Sequence, residues 1–302
     1  MTHVTRGPST KAPNLRSLAA SAALPPGTLV DRTVLGRLPE PLLWRSDEPA
    51  GPDGWERMLP VRDATGLWPV LLGTHVRGTA VEDDLLPPPR GGDGGSAGGG
   101  GGTGSGGGGG TGSGGGGSGG AGTGAAGVLA AWWRRHAAWE PGGRGAGGIP
   151  ALRPYGRRPP ELAPPSCAGA DPDAAAAGAA RALVTRGTLR RPRAALVPAA
   201  RSADIPAAIG WSGTLASGED FEGYGAVLRS WEERFGTRVV ALEPDVLHLS
   251  VPDPPRTRAQ ALPVAAEHYA FCPSVVRQGA GSISRYADRW LTGRSLWSFW
   301  WD

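Results

Sequence analysis

The stretch LRSWEERFGTRVV, residues 228–240, decides how this chain folds. Followed back to residue 221, its apolar positions are Phe221, Tyr224, Val227, Leu228, Trp231 and Phe235. Steps of three and four residues place them on one stripe of a helix. Glu222, Arg229, Glu232, Glu233 and Arg234 fall mainly off that stripe and are expected to face water. Ser217 followed by Asp220 reads as a capping box ahead of the apolar run. Gly236 stands where a left-handed residue ends a helix at least cost. Start, stripe and stop agree on a helix that hands over to a strand at 238–242. Residues 211–302 around it hold all four Phe, three of the four Tyr and half of the twelve Trp.

Working outward, 238–242 and 246–251 alternate with period two around Glu243, Pro244 and Asp245 and read as a hairpin. A helix over 257–271 follows, interrupted by Pro263. A third helix is expected over 282–291 and a last strand over 295–301. Upstream, 193–197 reads as a strand and 204–209 as a helix. Strand, helices, hairpin, helices, strand implies an α+β domain over 181–302, mainly antiparallel, with its helices packed on one face.

The rest of the chain divides by composition. Residues 1–16 are polar with Pro8 and Pro13 and read as a disordered tail. Residues 17–90 read as a small N-terminal subdomain, with strands at 28–34 and 41–45 and a helical turn at 53–58. LWPVLL (67–72) is a further strand, which Pro69 assigns to a sheet edge. Residues 91–127 are almost pure Gly with Ser and Thr, and such a tract cannot offset its ordering entropy by burial. VLAAWWRRHAAW (128–139) is a helix too short to stand alone, so its three Trp must dock on the main fold. Residues 141–180 read as a Pro/Gly/Ala-rich linker with at most a helical turn at 174–180.

At this point the residues resemble a known family. LPPG (24–27), LLWRSDEP (42–49), GLWPVLL (66–72), SWEERFGTRVV (230–240), LHLSV (247–251), AAEHYAFCP (265–273) and LWSFWWD (296–302) are similar to an actinobacterial family. Its C-terminal region is the domain of unknown function 4253. The resemblance spans most of 181–302 and, more loosely, 24–74. It implies a shared fold and carries no activity with it. Family members show a carboxylate and an amide after the Cys-Pro pair, where this chain has Ser274 and Val275. The glycine tract looks like an expansion particular to this chain.

Composition excludes several functions. The net charge is +4, and Lys11 is the only lysine, so nearly every base is Arg. Nucleic-acid binding needs clustered Arg with stacking aromatics. The only groups are Arg153, Tyr155, Arg157 and Arg158, then Arg186, Arg190, Arg191 and Arg193, and with one aromatic between them no nucleic-acid partner is expected. Cys167 and Cys272 are too few for a disulfide framework, which points to the cytoplasm. No apolar run reaches the ~20 residues of a membrane helix. GxGxxG matches inside the glycine tract lack the strand before and the helix after that a dinucleotide site requires.

Four constellations have chemistry-bearing residues. His268 and Cys272, four apart on one helix face, would make a nucleophile and base. However, the negative end of a helix disfavours a thiolate, so a buried Cys beside a half-exposed His is the preferred reading. Glu219 and Asp220 are paired carboxylates whose place in the first helical turn already explains them. Glu243, Asp245 and His248 have metal-capable side chains, as turn residues often do. Trp297, Phe299 and Trp301 share one face of the last strand, opposite Leu296 and Trp300, and are expected to be core. The sequence therefore reads as a soluble, non-enzymatic protein-interaction module. Its contact surface is expected near Trp211, Glu219, Asp220 and Trp300, with no cofactor and no metal. The alternative is a small hydrolase or transferase using His268 with Cys272 or Asp220.

Overall fold

Three short apolar runs, WPVLL, RAALV and RVVAL, are buried on both sides, and that property sets the architecture. The computed structural model describes residues 15–17, 24–89, 124–140, 149–166, 169–213 and 221–301. In chain order these form β1 (Gly27–Val30), β2 (Arg32–Thr33), β3 (Gly36–Arg37), β4 (Leu43–Ser46), α1 (Leu59–Thr65) and β5 (Trp68–Leu72). Then come α2 (Ala125–Trp139), α3 (Pro172–Thr185), β6 (Arg193–Val197), α4 (Ile205–Ala208) and α5 (Phe221–Phe235). The chain ends with β7 (Arg238–Leu242), β8 (Val246–Ser250), α6 (Arg258–Phe271), α7 (Ile283–Tyr286) and β9 (Leu296–Trp300). Wide π-type turns at Val275–Ala280 and Ala287–Leu291 flank α7.

Seven strands make one mixed sheet in the order β1-β4-β6-β5-β7-β8-β9. Every pairing is antiparallel except β5 with β7. Strands from 24–89 and from 193–301 thus interleave in a single sheet. Pro69 does not mark an edge: β5 lies between β6 and β7. The missing N–H is tolerated because β7 pairs only with Leu71 and Leu72. The Pro69 carbonyl instead accepts the indole N–H of Trp55 at 3.1 Å.

The helices do not share one face. Alternation along β5, β6 and β7 sends Val70, Leu72, Ala195, Val197, Val239 and Leu242 to a core under α2, α5 and α6. Leu71, Ala194, Leu196 and Val240 point the other way, onto α3, Trp55 and Met58. Strands apolar on both faces need cover on both, and the Ala-rich α3 supplies the second layer. Asp171 caps it by accepting from Asp173 N. It runs fourteen residues, well beyond the expected turn. Small side chains read as spacer in sequence here allow close approach to the sheet. Ile149, Leu152 and Ala163 are likewise buried, so 149–166 packs along the helical layer.

α5 buries Tyr224, Val227, Leu228, Trp231 and Phe235 as its stripe requires, and Gly236 follows it at φ 65°. Its proposed cap at Ser217 lies outside the described residues. α6 starts with a capping box between Thr257 and Gln260 and continues through Pro263 without ending. α2 docks Trp132 and Trp133 into the core, whereas Trp139 stays exposed. Its end is held by Glu140, which accepts from the Tyr269 hydroxyl at 2.7 Å and from Arg277 Nε at 2.6 Å.

Candidate functional site

Polar groups hidden in apolar runs join α5 and α6 to the segment 163–166. Glu267 is buried in α6, and its carboxylate accepts from Arg234 Nη1 (2.9 Å) and Nη2 (2.6 Å), Trp231 Nε1 (2.7 Å) and Ala163 N (2.6 Å). Arg234 also donates to the Ala163 carbonyl at 2.7 Å. The Arg234 carbonyl in turn accepts from Ser166 N at 3.0 Å. Arg234 and Glu232 therefore do not simply face water: Glu232 is largely buried against Arg238, at 3.2 Å. Charges taken out of water need such partners.

This bidentate pair anchors one wall of a cleft of about 440 Å³. That wall is Pro164, Pro165 and Ser166. Phe235, the last residue of α5, and Val264, midway along α6, form the apolar floor. The far wall is the turn from Asp253 through Pro254 and Pro255 to Arg256, with Gln260 beside it. The turn is rigid for local reasons. Gln260 Oε1 accepts from Arg256 N (2.9 Å) and Thr257 N (3.1 Å), and Arg256 pairs with Asp253 at 3.2 Å. Prolines preset their φ and carry no N–H to satisfy, so four of them give two preformed apolar walls.

The residues singled out from sequence do not line this cleft. His268 is completely buried, not half-exposed. Its ring lies against Trp231, Trp297 and Phe299 at 4.4–5.0 Å between centroids. Nδ1 is 3.1 Å from the Tyr286 hydroxyl, and Nε2 has no hydrogen-bond partner among the described residues. Burial first, then the nearby Arg234 charge, hold its pKa well below the ordinary histidine value. Cys272 is buried, and its thiol donates to the Trp300 carbonyl at 3.0 Å. Both the thiol and the imidazole are thus enclosed by the core.

Trp211, expected on an exposed contact surface, is only 2% exposed. Its indole N–H donates to the Glu243 carbonyl at 2.8 Å, and its ring meets Trp301 edge-on. A large ring at the end of a strand layer is worth more in the core than in water. Trp300 is half-buried, with Nε1 3.4 Å from Gln278 Oε1. Glu219 and Asp220 lie outside the described residues. Trp297, Phe299 and Trp301 are core, as their shared strand face requires.

The hairpin-turn residues divide between two partners. His248 sits 2.8 Å from Ser298 Oγ through Nδ1 and 3.3 Å from Glu243 through Nε2, whereas Asp245 is 3.6 Å from His75. Among the described residues no group of three His, Cys, Asp or Glu side chains could hold a metal ion. No helix among them is long and apolar enough to cross a membrane. Arg157 and Arg193, from the two arginine groups, are tied to the carbonyls of Ala137 and Asp47.

With the geometry in place, the comparisons add one result. Residues 193–302 match the family model described as Domain of unknown function (DUF4253). No curated protein and no solved structure matches the chain. The DUF4253 region contributes β6 to β9, the buried pair Arg234–Glu267, the cleft floor and the Asp253–Arg256 wall. The Pro164–Ser166 wall lies outside it.

Sequence reasoning passed over this cleft. Two signals were available. Pro-Pro pairs stand at 164–165 and 254–255, and Glu267 is a lone carboxylate inside AAEHYAF. A charge in the middle of an apolar helical run must find a partner in the core.

Proposed function

We propose that this chain is a non-enzymatic protein-interaction module, acting in the cytoplasm, that takes a segment of a partner protein in the cleft between 164–166 and 253–256. The supporting observation is the make-up of that cleft: preformed proline walls over an apolar floor, with Gln260 and Asp253 engaged in the local structure of the far wall. Its volume lies within the range of about 300–1,000 Å³ usual for ligand sites. Of the polar residues named for catalysis, His268 and Cys272 are buried in the core away from this cleft, and Asp220 lies outside the described residues.

The test is selection of a random dodecapeptide library on the full chain. Enriched peptides are expected to bind the native protein and to lose binding to Ser166→Trp, which fills the cleft from its half-buried rim. Enriched peptides indifferent to Ser166→Trp, or no enrichment at all, would overturn the reading.

A further inference from the structure

The far wall of the cleft continues into a charged rim. The Pro255 carbonyl accepts from Gly293 N at 2.8 Å, which holds the loop that carries Arg294 against the turn that carries Arg256. Arg258 reaches Asp288 at 3.2 Å, which brings the turn Ala287–Leu291, with Arg289 and Trp290, to the start of α6. On this rim the Arg256 side chain is 77% exposed and Trp290 is 51% exposed. Arg289 and Arg294 are exposed and make no ion pair among the described residues. The turns next to the cleft thus carry four arginines, two of them paired with Asp253 and Asp288, and an exposed indole.

We infer that the segment taken by the cleft is an acidic peptide: a bulky apolar side chain enters between the prolines while flanking carboxylates meet Arg256, Arg289 and Arg294. This rests on the cleft being the partner site. Charge complementarity commits the occupant. Carboxylates match guanidinium forks in pairs, and Trp and Arg are the residues that anchor interfaces. A nucleic acid is the lesser fit. Arg256 and Arg258 are half-neutralised by Asp253 and Asp288. That leaves two uncompensated charges, and affinity for a polyanion rises with the number of phosphates met.

The experiment uses the peptides enriched above, as fluorescein conjugates in anisotropy titrations. Peptides with Asp or Glu flanking an apolar residue are expected. Their Asn/Gln counterparts should bind about tenfold more weakly, and Arg289→Glu with Arg294→Glu should weaken the acidic peptide by a similar factor while leaving the melting temperature unchanged. Added salt should narrow the gap between the acidic and neutral peptides. If cleft-dependent peptides prove neutral or basic, or bind equally after acid removal, the acidic partner is wrong and the cleft stands. If binding ignores Ser166→Trp, the cleft itself fails. An oligo(dT) probe that binds more tightly than the peptides, and is lost in the double variant, would assign the rim to nucleic acid and overturn the inference.

Discussion

Glu267 joins three parts of the molecule. It ties α6 to α5 through Arg234 and Trp231, and to the outer segment through Ala163. Glu267→Gln keeps the shape and strands the Arg234 charge, so a loss of about 3–5 kcal/mol is expected in urea unfolding. A loss within about 0.5 kcal/mol, as for an ordinary surface change, would show that the pair is ornamental. Two histidines make the fold sensitive to acid. Burial, then the charges of Arg135 and Arg277, lower the His136 pKa to about 4. Its unfolded value is about 6.5. The unfolded chain therefore binds the proton first, so this contribution is complete above about pH 6.5 and is lost as pH falls toward 4. His268, lowered in the same direction, adds to the slope. Melting temperatures are expected to fall between neutral pH and about pH 5, and less steeply in His136→Asn. An unchanged slope in that variant would remove His136 from the account.

Elements were legible where a pattern and its punctuation agreed. The stripe of α5, the hairpin of β7 and β8 and the aromatic face of β9 follow from spacing alone. Gly236 is the test of that punctuation. Its φ is 65°, and a Cβ added there would lie 3.0 Å from Pro252 Cγ, so it has neither room nor freedom for a side chain. Gly236→Ala is expected to cost about 1–2 kcal/mol in thermal unfolding, and a neutral result would mean the turn re-forms without a left-handed residue. What stayed illegible had a common cause: long-range partners override local signs. Pro69 argued for an edge, yet its strand is central, since pairing with β7 begins only at Leu71. Alanines at 174–180 argued for spacer, yet they let α3 lie close on the sheet. Glu232 and Arg234 argued for solvent, yet each found an opposite charge from another element. The cleft was invisible for the same reason, since its walls are some ninety residues apart and only α5 and α6 bring them together.

At the scale of the whole molecule, the aromatic residues build the framework. Trp231 stacks on Phe299 at 5.4 Å and meets Phe271, His268 and Trp297, and Trp301 extends the cluster to Tyr224 and Trp211. A buried aromatic removes about 150–250 Å² from water, so each ring of this cluster adds a large apolar burial to that face of the sheet. His268 and Cys272, which looked reactive in sequence, are buried beside it, and the binding surface proposed here is the proline cleft with its arginine rim. The most direct test is NMR mapping of the full chain with the tightest selected peptide. Shift changes are expected at Val264, Gln260, Phe235 and Ser166, with the His268 ring and Cys272 unmoved. Changes centred on His268, Cys272 and Tyr286, with Val264 silent, would contradict the assignment of binding to the cleft and of those residues to the core.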